Sequence, residues 1–171
     1  TSCQAGVAQK GCIWLKLSVS GKTSHGAEPW QGINALEQGF GLFADLREEL
    51  MREEHPVLGR STLQVTMAEG GIAPNMTPDR AQFLADIRIV PPLNEKEVLN
   101  RLKCLIEKRC EVYNGGLSFA PEISNYRMPV ETGPKNQWLH RLKGFIGDDA
   151  GETGINYFTD ASIFLTAWPD S

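Results

Sequence analysis

The sequence is short of the residues from which most hydrolytic and metal centres are assembled. It holds three histidines, His25, His55 and His140, none spaced from another as in HxxxH or HxxEH. A hydrolytic zinc site needs three or four His, Cys or carboxylate ligands converging on one ion, so no metal site is expected from these residues. Neither a Gly-x-Ser-x-Gly elbow nor a phosphate-cradling glycine loop occurs, which removes two common enzyme signatures. Cysteine is sparse. Cys3, Cys12, Cys104 and Cys110 form no CxxC pair, a pattern expected of reduced, mostly structural thiols in a cytoplasmic protein. Nor is positive charge in excess: 17 basic groups face 21 acidic ones, net −4. That balance argues against nucleic acid or an anionic membrane as partner. No apolar run approaches the roughly 18 residues of a membrane span, and no basic segment followed by an apolar one marks a signal peptide.

What is present is an ordinary globular composition, 41% hydrophobic and 22% charged over 171 residues. That length accommodates one domain, or a small domain with part of a second. Residues 12–20 alternate, with Ile13, Leu15, Leu17 and Val19 on one face, as in a half-buried strand. A loop rich in Gly, Ser and Pro follows. From Ile33 the period becomes helical: Ile33, Leu36, Phe40, Phe43, Leu46 and Leu50 form one stripe, and the helix is expected to end before Pro56.

Residues 61–68 predict a second strand and 80–90 a third, with Ala81, Phe83, Ala85, Ile87 and Ile89 on one side. Between them lies a turn-rich loop. Asn94 is placed to cap a helix through Val98, Leu102, Leu105 and Ile106, with Glu97 at its third position. A fourth strand is expected around 111–120, interrupted by Asn114, Gly115 and Gly116. The order β-α-β-β-α-β predicts a ferredoxin-like α+β sandwich, a four-stranded antiparallel sheet with two helices on one face.

Beyond about 123 the texture changes. Residues 124–134 read as loop, 136–146 as helix (Trp138, Leu139, Leu142, Phe145), and 147–154 as a flexible acidic turn. Residues 154–168 then suggest a buried strand, a tight Thr-Asp turn and a helix start. The expected division is 1–10 as the end of an upstream segment, 11–123 as the sandwich domain, and 124–171 as part of an α/β domain. Thr1 stands where an initiator Met is absent, and the last residues follow an apolar stretch. Both ends are therefore expected to be cuts in a longer chain.

Two loops each carry one polar residue of unusual type: His25 between a strand and a helix, and Asn75 between two strands. His25 could equally cap the helix or satisfy the loop backbone, and Asn75 could occupy a left-handed turn position. Whether the two loops meet depends on strand stagger, which the sequence leaves open. The carboxylate pairs Glu53–Glu54 and Asp148–Asp149 lie in polar runs and read as solvated surface.

Three blocks resemble one family. The first runs Lys10-Gly11, an alternating strand, then Gly21-Lys22-x-x-His25-x-x-x-Pro29-x-x-Gly32-x-Asn34-Ala35. The second holds Gly70-Gly71, Asn75-x-x-Pro78-Asp79 and Asp86-x-Arg88-x-x-Pro91, and the third holds Thr159-Asp160-Ala161. In this order the first two are similar to the dimerisation, or lid, domain of the zinc metallopeptidases that include aminoacylase, glutamate carboxypeptidase, acetylornithine deacetylase and succinyl-diaminopimelate desuccinylase, and the third resembles the turn where the chain of that family re-enters the catalytic domain. The resemblance implies a hydrolase of N-acyl amino acids or short peptides, working as a homodimer with two zinc ions. It implies that the zinc ligands and the general-base glutamate lie outside this chain, which alone would be inactive.

By the same resemblance His25 reaches into the partner subunit's active site, where an imidazole N–H can donate to the oxyanion formed on the attacked amide. Asn75 and Arg88 match positions that bind the substrate's free carboxylate, which suits a guanidinium fork. Arg88 could instead sit in an exposed ion pair. Gly70 and Gly71 would let the backbone approach the ligand closely. Lys22, Trp30 and Asp160 are expected to be structural. The pairing surface is expected on the helix at 33–52 with an edge strand, 61–68. The alternative is a free-standing dimerisation or small-ligand module without chemistry. Against it stands the tail, whose Ile163, Phe164, Leu165 and Trp168 call for a core this chain hardly supplies.

Overall fold

The computed structural model describes residues 4–147 and 151–167; Cys3, Asp148, Asp149 and Trp168 lie outside them. In chain order the elements are β1 (Ala5–Gln9), β2 (Gly11–Ser20), α1 (Ala35–Leu50), β3 (Glu54–His55), β4 (Gly59–Arg60), β5 (Thr62–Gly70), β6 (Arg80–Ile89), α2 (Glu95–Val112), β7 (Ser118–Arg127), β8 (Val130–Glu131), α3 (Gln137–Ile146), β9 (Glu152–Ile155) and α4 (Ala161–Ala167). Strands β5-β6-β2-β7 form a four-stranded sheet in which every neighbouring pair is antiparallel. This is the ferredoxin-like arrangement, with α1 and α2 packed together over the sheet.

Alternation explains the sheet. In β2, Ile13, Leu15, Leu17 and Val19 are buried while Trp14, Lys16, Ser18 and Ser20 are exposed. In β6, Ala81, Phe83, Ala85, Ile87 and Ile89 are all buried. These residues, with Leu42, Phe43, Leu46 and Leu50 of α1 and Val98 and Leu102 of α2, form one core. Each of the Val, Leu, Ile and Phe side chains contributes about 1.5–3 kcal/mol on burial.

Four expectations need correction. The buried face of α1 runs through Ala35, Gly39, Leu42, Phe43, Leu46 and Leu50, while Phe40 stays half-exposed. The Phe83 ring lies against Gly39, whose missing side chain admits it, and Phe40 meets that ring edge-on from the helix flank, 5.2 Å between centroids. The fourth strand begins at Ser118, because α2 continues to Val112 and the reversal falls at Asn114 and Gly115, with φ of 46° and 86°. The stretch expected as loop is partly strand: Ser124–Arg127 complete β7, and β8 follows after Met128 and Pro129. Finally, β9 is only partly buried.

β1, β8 and β9 form a second, three-stranded sheet with β1 in the middle, antiparallel to β8 and parallel to β9. Leu139 and Ile146 of α3 pack on Ala5 and Val7. The β3–β4 hairpin belongs to neither large sheet. Its Leu58 packs with Ala8 and Val90, and the carbonyl of Arg60 accepts from Lys10 Nζ at 2.7 Å. Burial pushes the Lys10 ammonium below its ordinary value. Cys12, Cys104 and Cys110 are free thiols. No described helix is long and apolar enough to cross a membrane.

Candidate functional site

The loop leaving β2 is closed by its own backbone. Lys22 and Ile33 exchange N–H···O bonds of 3.0 and 2.7 Å, and Pro29–Gln31 form a single 3-10 turn. The glycines are needed for this closure: a Cβ on Gly21 would lie 2.2 Å from the Ile33 carbonyl oxygen, and one on Gly32 would lie 2.4 Å from Ser24 Oγ. Asn34 caps α1, its Oδ1 accepting from the Leu36 and Glu37 N–H groups at 3.0 and 3.3 Å. The helix start is therefore satisfied by Asn34 and not by His25.

The β5–β6 loop docks onto it. Gly26 N–H donates to Asn75 O at 2.8 Å, Thr77 N–H to Ser24 O at 2.9 Å, and Ala35 N–H to Pro78 O at 2.8 Å. Ser24 and Thr77 hydroxyls meet at 2.8 Å, and Thr23 Oγ1 donates to Thr77 O at 3.1 Å. The strand stagger thus brings His25 and Asn75 to the same end of the sheet.

His25 sits at the rim of this paired loop, exposed, in a bridge with Met76. Its Nδ1 accepts from Ala27 N–H at 3.1 Å. In the neutral ring the proton therefore sits on Nε2, which no described residue engages. The ring does satisfy a loop N–H, yet it keeps a donor facing outward. Asn75 contributes its carbonyl to the docking, and its φ is not positive: Asn114 alone among the described non-glycine residues has that conformation.

Gly70 and Gly71 lie at this end too. A Cβ at Gly70 would meet the Arg80 carbonyl at 2.8 Å and Leu36 at 3.1 Å, so here it is the protein's own chain that approaches closely. Gly71 has φ +85°, which favours glycine.

Arg88 is elsewhere. β6 enters the sheet at Arg80, opposite Ser20, and Arg88 lies opposite Cys12 and Thr62 near its other end. Eight residues of strand at about 3.3 Å each put roughly 26 Å between the two positions. The Arg88 guanidinium grips Asp86 in a fork, Nε to Oδ1 at 2.6 Å and Nη2 to Oδ2 at 2.8 Å. The hydrogen bonds to Asp86 hold the guanidinium pKa above its ordinary value. Trp14 Nε1 donates to the same carboxylate at 3.2 Å, and Arg88 Cζ lies over the Phe158 ring, 5.6 Å from its centroid.

The other histidines are accounted for. His55 is buried, its Nδ1 accepting from Val57 and Leu58 N–H at 3.2 Å and its Nε2 lying 3.2 Å from Glu131. His140 is exposed on α3. Glu53 and Glu54, read as solvated, pair with Arg101 and Arg60. No three His, Cys, Asp or Glu side chains converge as a metal site among the described residues.

Residues 7–114 match the family described as peptidase dimerisation domain, well over half of the chain. The chain belongs to that family. Among curated proteins the chain is 27% identical to acetylornithine deacetylase of Shigella sonnei, over 99% of this chain and 45% of that protein. The chain thus spans about half the length of the relative it matches. Among solved structures it resembles aminopeptidase PepT of Bacillus cereus, with a TM-score of 0.67, 17% identity, and 98% and 45% of the two chains covered. It likewise resembles an amidase of the hydantoinase/carbamoylase family from Burkholderia phymatum, with a TM-score of 0.71, 13% identity, and 95% and 41% covered. At such identities these likenesses speak for the fold.

Asp86 belongs to the second sequence block without a role expected for it, and Trp14 belongs to none of the expected site residues. Their shared signal was present in the alternation: Trp14, Asp86 and Arg88 all fall on the outer face of adjacent strands.

Proposed function

We propose that this dimerisation domain is the lid of a zinc-dependent amidohydrolase that cleaves the amide bond of N-acyl amino acids or short peptides, with His25 serving the active site of the partner subunit. The observation that carries the reading is the docked loop pair, which holds His25 exposed, orients its ring through Nδ1, and leaves Nε2–H as an outward donor. A preorganised donor of this kind stabilises the oxyanion formed as an amide carbonyl is attacked, and its loss typically costs about 10²–10³ in kcat.

The separation of His25 from Arg88 supports donation across a dimer. A substrate the size of an N-acyl amino acid does not span roughly 26 Å of strand. One site can use both groups if Arg88 comes from one subunit and His25 from the other, with Asn75 travelling with His25. Gly70 and Gly71 then shape the loop that carries Asn75. The proposed pairing surface is α1 with the edge strand β5, joined about a two-fold axis to a second copy. The described residues do not fit a zinc site, so the metal belongs to other parts of the proposed enzyme, and the segments 1–10 and 124–171 to its catalytic domain. A cytoplasmic location accords with the free thiols.

The test is steady-state kinetics of the full-length enzyme on N-acetyl amino acids with His25→Ala. A fall in kcat of about a hundredfold or more with the dimer mass unchanged is expected. An unchanged kcat would sink the catalytic half of the reading.

A further inference from the structure

The Arg88 fork is already half used. A guanidinium offers a side-on edge, Nε with Nη2, and an end-on edge, Nη1 with Nη2. Asp86 occupies the side-on edge through two bonds of 2.6 and 2.8 Å. No described residue hydrogen-bonds Nη1. The carboxylate of Asp86 is itself held by Trp14 Nε1 at 3.2 Å, and Trp14 and Asp86 face each other in the β2–β6 register. Arg88 and Asp86 are each about a quarter exposed, at 26%, so the group is neither sealed in the core nor loose on the surface.

The fourth member comes from the other sheet's side of the molecule. Phe158, in the connection from β9 to α4, lies with its ring centroid 5.6 Å from Arg88 Cζ, which sits over the ring face. Its neighbour Thr159 is fixed in turn: its N–H donates to Gln9 Oε1 at 3.2 Å, and its hydroxyl bonds the same oxygen. A backbone N–H can only donate, so the carboxamide of Gln9 must present its oxygen there. The floor beneath Arg88 is therefore anchored to β1, while its side is anchored to β2.

We propose that Trp14, Asp86 and Phe158 are positioning residues that present the end-on edge of Arg88 to a free carboxylate at the junction of the two sheets, making the enzyme selective for acids over the matching carboxamides. The inference rests on the reading of Arg88 given above. An unsupported arginine gives up much of its side-chain freedom when it binds. Here the side-on pair has already fixed the plane and the Phe158 ring closes one side of it, so an end-on carboxylate meets two parallel donors in place. Asp86 sits on the edge away from the incoming anion, and the quarter-exposed setting lets solvent screen repulsion between them.

The test uses the full-length enzyme with N-acetyl amino acids and their carboxamides as paired substrates. Asp86→Asn is expected to raise KM for the acids about tenfold and to lower the acid-over-amide ratio of kcat/KM by the same factor. Trp14→Phe, which leaves every charge in place, is expected to move both in the same direction by less. If Asp86→Asn does not fold, as judged by its melting transition and dimer mass, Trp14→Phe decides alone. An acid-over-amide ratio unchanged or raised in the folded variants overturns the proposal, as does an equal loss on acids and amides. Arg88→Ala separates the two levels: no change in the ratio there removes the carboxylate role of Arg88 itself. A large change there with none in Asp86→Asn or Trp14→Phe removes only the positioning.

Discussion

The main-chain N–H of Gly26 donates to the carbonyl of Asn75 at 2.8 Å, and that bond ties a strand-to-helix loop to a strand-to-strand loop. The two candidate polar residues of the sequence, His25 and Asn75, are thereby parts of one surface. Much of the surrounding motif builds this surface: Asn34 caps, Gly21 and Gly32 admit backbone, and Thr77 buttons onto Ser24.

Gly32→Ala tests the buttress. The new Cβ would fall 2.4 Å from Ser24 Oγ and 2.8 Å from the Lys22 carbonyl oxygen, so the loop must open. The expected destabilisation is about 1–3 kcal/mol in urea unfolding.

Gly39→Ala should also destabilise, although alanine favours helices by about 1 kcal/mol over glycine. A Cβ there would lie 2.2 Å from the Phe83 ring, whose centroid is 5.2 Å from Phe40 and 5.7 Å from Phe43. Displacing that ring outweighs the propensity gain, and the melting temperature should fall by roughly 2–8 °C.

Dimerisation through β5 predicts a charge effect. Met67 on this edge strand is 65% exposed and close in sequence to Glu69. Met67→Glu would set like charges against each other across a two-fold axis. Light scattering at about tens of micromolar should show a shift toward monomer, and an unmoved dimer mass would place the interface elsewhere.

Acid should act through Glu53. Its hydrogen bond from Arg101, 3.0 Å from Nη1 to Oε2, holds the carboxyl below the ordinary glutamate value. A lowered folded-state pKa stabilises above the unfolded value of about 4.3 and stops doing so as pH falls through the folded value. Wild type should therefore melt about 2–4 °C above Glu53→Gln at pH 7, and the gap should close as the pH drops below 4.

Central strands were legible because β2 and β6 bury one face along their whole length, leaving their alternation unbroken. β7 was harder. It is an edge strand that tolerates Pro121 opposite Leu17, and only Ile123, Phe119 and Tyr126 lean on the core. The junction at Arg88 was hidden for a different reason. Its partners Trp14 and Phe158 are far away in sequence, and no period within a single strand announces a cross-strand bond or a stack. His55 likewise carries no local sign of burial, since its ring is satisfied by Val57 and Leu58 N–H groups of its own hairpin. Among the residues called apolar in the tail, Ile163 and Phe164 are indeed about half exposed, at 48% and 57%.

Cys12 and Arg127 face each other across β2 and β7, so the chain leaves the small sheet and returns to it at neighbouring points. Seen from β1, β8 and β9, the intervening four-stranded unit is a loop of over a hundred residues, whose closure from a flexible chain costs about 4 kcal/mol. Once folded, that unit is a short rigid clip with adjacent ends, and most of the closure cost has already been met. Folding should run from the inside outward: the four-stranded sheet forms first, and the small sheet zips up behind it. Lesions in the larger sheet would then cripple assembly of the smaller one, while lesions in the smaller sheet would leave the larger one standing.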